Sequence, residues 1–172
     1  MKKSFVIIAA IVMMVGFTSR VMAQVTDTKS NSANAQILGA IALTTVNPLE
    51  FGGIVPGSGG SVVIATDGTR TLTTVTGVNV SVTPTAASYT VTGTGLVAYT
   101  ITIPTAAFNI TNTTGTGPFA TMAVSAMDCS GTLNHTFAAD GTDAFTVGGT
   151  LTVANAQAPG LYTGTFDVTV AY

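Results

Sequence analysis

The stretch that decides the fold is GLYTGTFDVTVAY, residues 160–172. Its side chains fall into two sets with a period of two residues, the spacing of a β-strand with one buried face. Half of one set is threonine, and the other set is mostly aromatic or aliphatic. The second set consists of Tyr162, Gly164, Phe166, Val168, Val170 and Tyr172. The stretch therefore predicts a strand that must bury one face, because a bare apolar edge promotes aggregation.

Similar patterns recur along the chain in short runs separated by glycine, proline and asparagine. VNVSV, residues 78–82, alternates valine with polar residues, and AYTITI, residues 98–103, has one apolar face. AQILGAIALTTV, residues 35–46, is apolar on both faces, which predicts a strand buried in a sandwich. The paired glycines of AFTVGGTLTV, residues 144–153, predict a bulge or a close backbone approach. No segment has a helical repeat, so we predict an all-β, immunoglobulin-like sandwich of about 7–9 antiparallel strands.

The amino-terminal residues predict export from the cell. Two lysines precede an apolar run at residues 5–17, which is too short for a comfortable membrane span. SRVMAQ follows, with small side chains at the positions that a signal peptidase reads. We therefore predict a signal peptide over residues 1–23, cleaved between Ala23 and Gln24, and a secreted bacterial protein of the periplasm, outer surface or medium. No transmembrane segment is expected in the mature chain.

The mature chain is predicted to have a flexible polar leader at residues 24–34 and a single domain at residues 35–172. It keeps two basic residues, Lys29 and Arg70, against all seven acidic ones, which leaves a net charge of −5. Two cations cannot form a basic patch, so nucleic acid is excluded as a partner class. The single cysteine also excludes an intramolecular disulfide.

Few residues have the chemistry of an active site. His135 is the only histidine and Cys129 the only cysteine, in a turn-rich segment with nothing to orient the imidazole. A metal site would have to combine these two with Asp128, Asp140 and Asp143, and the DGTD run lacks the further oxygen ligands of a calcium loop. We therefore expect no enzymatic activity, no cofactor and no metal.

Carbohydrate binding is the alternative that the composition leaves open. Sugar sites on β-sandwiches use aromatic platforms, and this chain has no tryptophan and four tyrosines: Tyr89, Tyr99, Tyr162 and Tyr172. Their spacing favours packing in the core or on strand faces. A monomeric exported module that binds a glycan is thus the second hypothesis.

Three stretches together resemble a known family of proteins. They are PLEFGGIVPGSGGSVVI, DGTRTLT, and FTVGGTLTV followed by PGLYTGTFDVTVAY. In this order and spacing they resemble an uncharacterised family of exported bacterial β-sandwich domains. The ending is similar to those of spore coat protein U domains and chaperone–usher pilins, with Gly160 and Tyr172 at the matching positions.

The resemblance implies a fimbria- or coat-like subunit that assembles by β-strand addition. In pilins a periplasmic chaperone pairs with the final strand, and the amino-terminal extension of a neighbour later fills the groove. Ile37, Ile41 and Leu43 are the possible donor residues here, although they also fit the first strand of the chain's own sandwich. The final strand likewise has two interpretations: it pairs within its own sandwich, or it borders a groove that another chain fills.

Overall fold

The computed structural model describes residues 26–80, 82–115 and 119–172. The signal peptide and its cleavage site, Ala23 and Gln24, lie outside the described residues. Residues 26–36 are exposed and have no regular secondary structure. Residues 37–172 form one compact unit. Its strands are β1 (Ala42–Asn47), β2 (Gly53–Val55), β3 (Gly60–Ile64), β4 (Arg70–Thr73), β5 (Thr76–Val78), β6 (Ala87–Thr92), β7 (Ala98–Thr102), β8 (Phe108–Asn112), β9 (Thr121–Cys129), β10 (Asn134–Thr136), β11 (Thr142–Val153), β12 (Tyr162–Thr163) and β13 (Thr169–Ala171).

The largest sheet is built around β11. One edge of β11 pairs with β6 and then with β3, and the other edge pairs with β9, all antiparallel. The sheet continues from β9 to β8 and β12 on one side and from β6 to β1 on the other, while β4 extends β3. β11 is therefore the central strand on which the other elements are positioned.

Two smaller sheets complete the fold. One has the order β10–β7–β13, and the other is the β2–β5 pair. All pairings of the described strands are antiparallel and none of the described residues is helical, so the prediction of an all-β fold is confirmed and the arrangement is consistent with a sandwich. The strands outnumber the predicted 7–9 because turns divide several runs into pieces of two or three residues.

The hydrophobic core consists of two clusters. The first contains Phe51, Val62, Ile64, Val75, Ala86, Met122, Val124, Leu151 and Val153. The second contains Ala87, Tyr89, Val91, Tyr99, Ile101, Cys129, Phe137, Phe145 and Val147. β11 contributes to both clusters, its first half to the second cluster and its last residues to the first.

The glycine pair in β11 lies at the junction between the part of β11 that pairs with β6 and the part that pairs with β3. The register against β9 shifts between Gly148 and Thr150, and a Cβ on Gly148 would lie 2.3 Å from the carbonyl oxygen of Ile64. The predicted bulge and the predicted close approach are both confirmed.

The prediction that residues 35–46 form a strand buried on both faces is wrong. β1 is the last strand at one side of the large sheet, and only Leu43 among its six residues is partly buried. β1 pairs with β6 along one edge and is less enclosed by neighbouring elements, so its alanine and threonine side chains remain exposed.

Candidate functional site

An apolar groove opens over the first core cluster. Its volume is about 910 Å³, and Ile110, Met122, Leu151 and Val153 belong to its lining. These four residues come from β8, β9 and β11, which are neighbours in the large sheet. The inner face of that sheet is thus the floor of the groove.

The β2–β5 strand pair is one wall of the groove. Val78, Val80 and Val82 line it together with β2, and all three valines are more than a third exposed. Only the first of them lies in β5, so the alternation of VNVSV predicted a longer strand than the structure contains. Between 37 and 46% of each valine is exposed, so this wall presents a partly open apolar face.

The opposite wall is formed by residues 157–164. The buried Gln157 side chain donates from Nε2 to the carbonyl oxygens of Phe119 and Thr121 and to the Tyr162 hydroxyl. That hydroxyl donates in turn to the carbonyl oxygen of Ala158, at 2.6 Å. These bonds hold the wall against the start of β9. Sequence reasoning missed Gln157, because ANAQAPG is typical of an ordinary turn.

β12 leaves a free strand edge along this wall. Its antiparallel neighbour is β8, and the Thr113 N–H donates to the carbonyl oxygen of Leu161 at 2.8 Å. Backbone groups of alternate residues point to opposite edges of a strand. Since Leu161 and Thr163 face β8, the N–H and C=O groups of Tyr162 and Gly164 face away from it, and both residues line the groove.

The predicted final strand is divided between two sheets. Tyr162 lies in β12, whereas Val170 lies in β13, and residues 164–168 belong to neither strand. The predicted alternation holds from Tyr162 to Val170, except that Gly164 is exposed on the face where Phe166 and Val168 are partly buried. Phe166, Val168 and Val170 pack on the second cluster, so this part of the stretch completes the chain's own core.

Tyr172 fastens the stretch to the start of the fold. Its ring meets Phe137 edge-on at 6.2 Å between centroids. Its hydroxyl accepts from the Thr94 N–H at 2.8 Å and donates to the Gly39 carbonyl oxygen at 3.0 Å. The Gly39 N–H donates to the Thr94 hydroxyl at 2.7 Å. The Tyr172 side chain therefore connects the end of the β10–β7–β13 sheet to Thr94 and Gly39.

The three possible donor residues have different environments. Ile41 and Leu43 are partly buried and pack on the second cluster of their own chain. Ile37 is 94% exposed. Together with Leu38, Leu96 and Tyr172 it forms what we call the exposed tip, since all four are more than a third exposed and lie at or within two residues of the contacts of Tyr172.

The family described as Domain of unknown function (DUF4402) matches residues 41–172, more than half of the chain. The chain belongs to the DUF4402 family. The match includes all thirteen strands, and the prediction of an uncharacterised domain family is confirmed. The similarity to spore coat protein U and to pilins stays a prediction. No curated protein and no solved structure matches the chain.

A polar cluster bridges two sheets of the DUF4402 domain. Asp143 of β11 accepts from the Tyr99 hydroxyl and lies next to His135 Nδ1, each 2.8 Å from Oδ2. Burial acts to raise the pKa of Asp143, but the hydrogen bonds from His135, Tyr99 and the Ala144 N–H outweigh it and hold that pKa below its usual value. Burial first, and the Asp143 carboxylate second, raise the pKa of Tyr99 well above its usual range.

The geometry of this DUF4402 cluster does not assemble a nucleophile. Cys129 is 6% exposed, and burial followed by the Asp128 charge raises the pKa of its thiol, which disfavours the thiolate. Its Sγ donates to the carbonyl oxygen of Ser130, and no hydrogen bond joins it to His135 in the described part of the chain. His135 is oriented by Asp143, a partner that sequence reasoning missed because eight residues separate them.

The structure does not assemble the metal ligands that the sequence suggested. Within residues 26–80, 82–115 and 119–172, no group of three or more histidine, cysteine, aspartate or glutamate side chains is close enough to hold a metal ion. Asp140 instead accepts from the backbone and hydroxyl of Thr142 in a turn.

The tyrosines of the DUF4402 domain are mostly occupied by internal contacts. Tyr89 and Tyr99 are buried in the second cluster. The hydroxyls of Tyr162 and Tyr172 are engaged with backbone groups. Among the described residues, no helix is long and apolar enough to cross a membrane.

Proposed function

We propose that this protein is a non-enzymatic, exported structural subunit whose apolar groove accepts an extended segment of a second copy as an additional β-strand. The observation that carries the proposal is the edge of β12 turned away from β8, continued by Gly164, which lies along an apolar groove. Strand addition draws affinity from such unpaired backbone groups and specificity from pockets for alternate side chains.

The lining favours an apolar side chain, such as that of Ile37, where an added strand contacts it. Glu50 is the only charged residue among those that line the groove, and the amide of Gln157 is already committed to the wall. The three valines of residues 78–82 repeat every second residue, which matches the spacing of side chains on one face of an added strand. Covering them removes apolar surface from water, the main favourable term in association.

The exposed tip supports a second copy as the source of that strand. Gly93, beside the tip, donates to the Gly141 carbonyl oxygen at the start of β11, whereas Leu151 and Val153 near its end line the groove. Twelve residues of strand separate these points by roughly 36 Å, at about 3.3 Å per residue. A tip and a groove at opposite ends of one strand suit head-to-tail contact, which propagates into a filament.

The proposal assigns Ile37 and the residues before it to the donor. Ile41 and Leu43 remain in their own fold, where they support the second cluster. Residues 26–36 form no strand of their own, so pairing with a groove sacrifices no existing structure. Export belongs to the same proposal. Mass spectrometry of the secreted chain is expected to give a protein that begins at Gln24.

The test is the assembly state of residues 24–172, by light scattering after size exclusion and by an unboiled SDS gel. We expect a ladder of multimers that Val80→Lys in the groove abolishes. Leu133→Lys is the matched control, because Leu133 is equally exposed but lies outside the groove. We also expect a synthetic peptide of residues 26–37 to bind the groove of the monomeric fraction and a scrambled peptide not to bind.

A protein that stays monomeric at every concentration and does not bind the peptide would contradict the proposal. Binding of a glycan by that monomer, lost on substitution of Tyr172, would favour the carbohydrate-binding alternative. Multimers that survive Val80→Lys would place the contact elsewhere and likewise refute the groove as the site.

A further inference from the structure

One half-buried cation, Arg70, lies behind the wall of the groove that β2 and β5 form. Arg70 is the only lysine or arginine from residue 35 to residue 172. Its Nη1 donates to the carbonyl oxygens of Phe51, at 3.2 Å, and Gly53, at 3.3 Å. Both residues line the groove. A single guanidinium nitrogen from β4 thus holds the backbone on either side of Gly52.

Two glycines leave room for the guanidinium. A Cβ on Gly77 of β5 would lie 2.1 Å from Nη2, and a Cβ on Gly52 would lie 2.9 Å from Nη1. Gly52 also has a φ of +75°, which side chains disfavour. Any larger residue at position 77 would displace Arg70. The β2–β5 strand pair and the turn at Gly52 therefore pack around this side chain.

The charge of Arg70 is balanced by backbone carbonyl groups. The ion pairs among the described residues join Lys29 to Asp27 and His135 to Asp143, and neither includes Arg70. Partial burial of an arginine without a carboxylate is costly, and an aliphatic side chain would fill the same space at no such cost. The retained guanidinium supplies Nη1, whose two N–H bonds can each donate to one carbonyl.

We infer that Arg70 is a positioning residue for the groove: it holds the β2–β5 wall apart from residues 157–164 before any strand enters. This inference rests on the proposed function, because a preformed groove matters only if something binds in it. A wall that is already ordered lowers the conformational entropy lost on binding. Arg70 contacts the wall and does not line the groove itself.

A double-mutant cycle in the mature chain tests this inference. Arg70→Met keeps the aliphatic part of the side chain but removes the guanidinium. Gly77→Ala displaces the guanidinium but keeps its charge. In hydrogen exchange by mass spectrometry, we expect either variant to speed exchange of residues 51–55 and 76–80 about tenfold, with the amides of β11 unchanged. The double variant should exchange no faster than the faster single variant, because both remove the same contact. Gly39→Ala, whose Cβ meets only the Thr94 hydroxyl at 3.4 Å, is the control for an added methyl.

Binding of the residue 26–37 peptide is the second readout, with an expected tenfold loss of affinity in either single variant. Unchanged wall exchange in Arg70→Met, or effects that multiply in the double variant, would overturn the inference even if the peptide still binds. Faster wall exchange in a protein that binds no peptide would instead uphold the role of Arg70 and refute the strand-acceptor function.

Discussion

Replacing Asp143 with asparagine removes the carboxylate that joins two sheets over the second core cluster. The carboxylate takes hydrogen bonds from Tyr99 and His135 through one oxygen and from the Ala144 N–H through the other, each at 2.8 Å. A hydrogen bond to a charged group contributes about 1.5–3 kcal/mol, and the 24% exposure of this side chain favours the lower figure. Asparagine keeps one acceptor, so we expect the free energy of unfolding to fall by about 2 kcal/mol at pH 7.

The loss should depend on pH in a direction set by the lowered pKa of Asp143. A carboxyl group whose pKa is lowered in the folded state stabilises the fold above its unfolded pKa of about 3.9. That stabilisation disappears as pH falls through the lower, folded pKa. The wild-type protein and Asp143→Asn should therefore differ fully at pH 7 and converge as the pH falls well below 4.

Urea unfolding at pH 7, 5 and 3 measures this difference. For an urea dependence of about 2 kcal/mol per molar, the midpoint of the variant should be about 1 M lower at pH 7. Asp167→Asn is the matched control, because this exposed aspartate has no hydrogen-bond partner among the described residues. Midpoints within 0.2 M at pH 7 (about a fifth of the expected shift), or a gap that widens in acid, would refute the reasoning.

Three further substitutions follow from single contacts. Tyr172→Phe removes the hydroxyl that bonds Gly39 and should lower the free energy of unfolding by about 1 kcal/mol in urea titrations; an unchanged midpoint would contradict this. Leu96→Gly relieves a φ of +61° at a 73% exposed leucine, so the melting temperature should stay level or rise, and a clear fall would count against strain there. Gly148→Ala places a Cβ 2.3 Å from the Ile64 carbonyl oxygen and should cost 3 kcal/mol or more, roughly the upper end for overpacking, by the same titration; full stability would disprove the close approach.

Local patterns predicted what depends on alternation and on glycine. The two-residue period of Tyr99 and Ile101 marks a face that is buried, and the glycine pair of β11 marks a bulge. The same rule failed for Val80, which alternates like a strand residue but lies outside β5, 46% exposed. Periodicity reports which face is apolar and does not report whether the chain itself supplies the cover.

The side chains that shape the groove gave no signal in the sequence. Gln157 and Arg70 act by reaching backbone carbonyls up to 38 residues away along the chain. Any carbonyl can serve as such an acceptor, so residue type and spacing carry no information about the pairing. The partnership of His135 with Asp143 was hidden for a related reason, because it depends on how two sheets face each other. Tertiary contacts of this kind become visible only once the strands are placed.

The bond between Tyr172 and Gly39 joins positions 133 residues apart. Contacts of such sequence separation form late, because the loop they close must first lose its chain entropy. Sandwiches dominated by distant pairings fold over milliseconds to seconds, far slower than helical bundles. A newly made chain of this kind therefore stays unfolded for longer, and its folding rate decides how long its apolar strands are exposed to other chains.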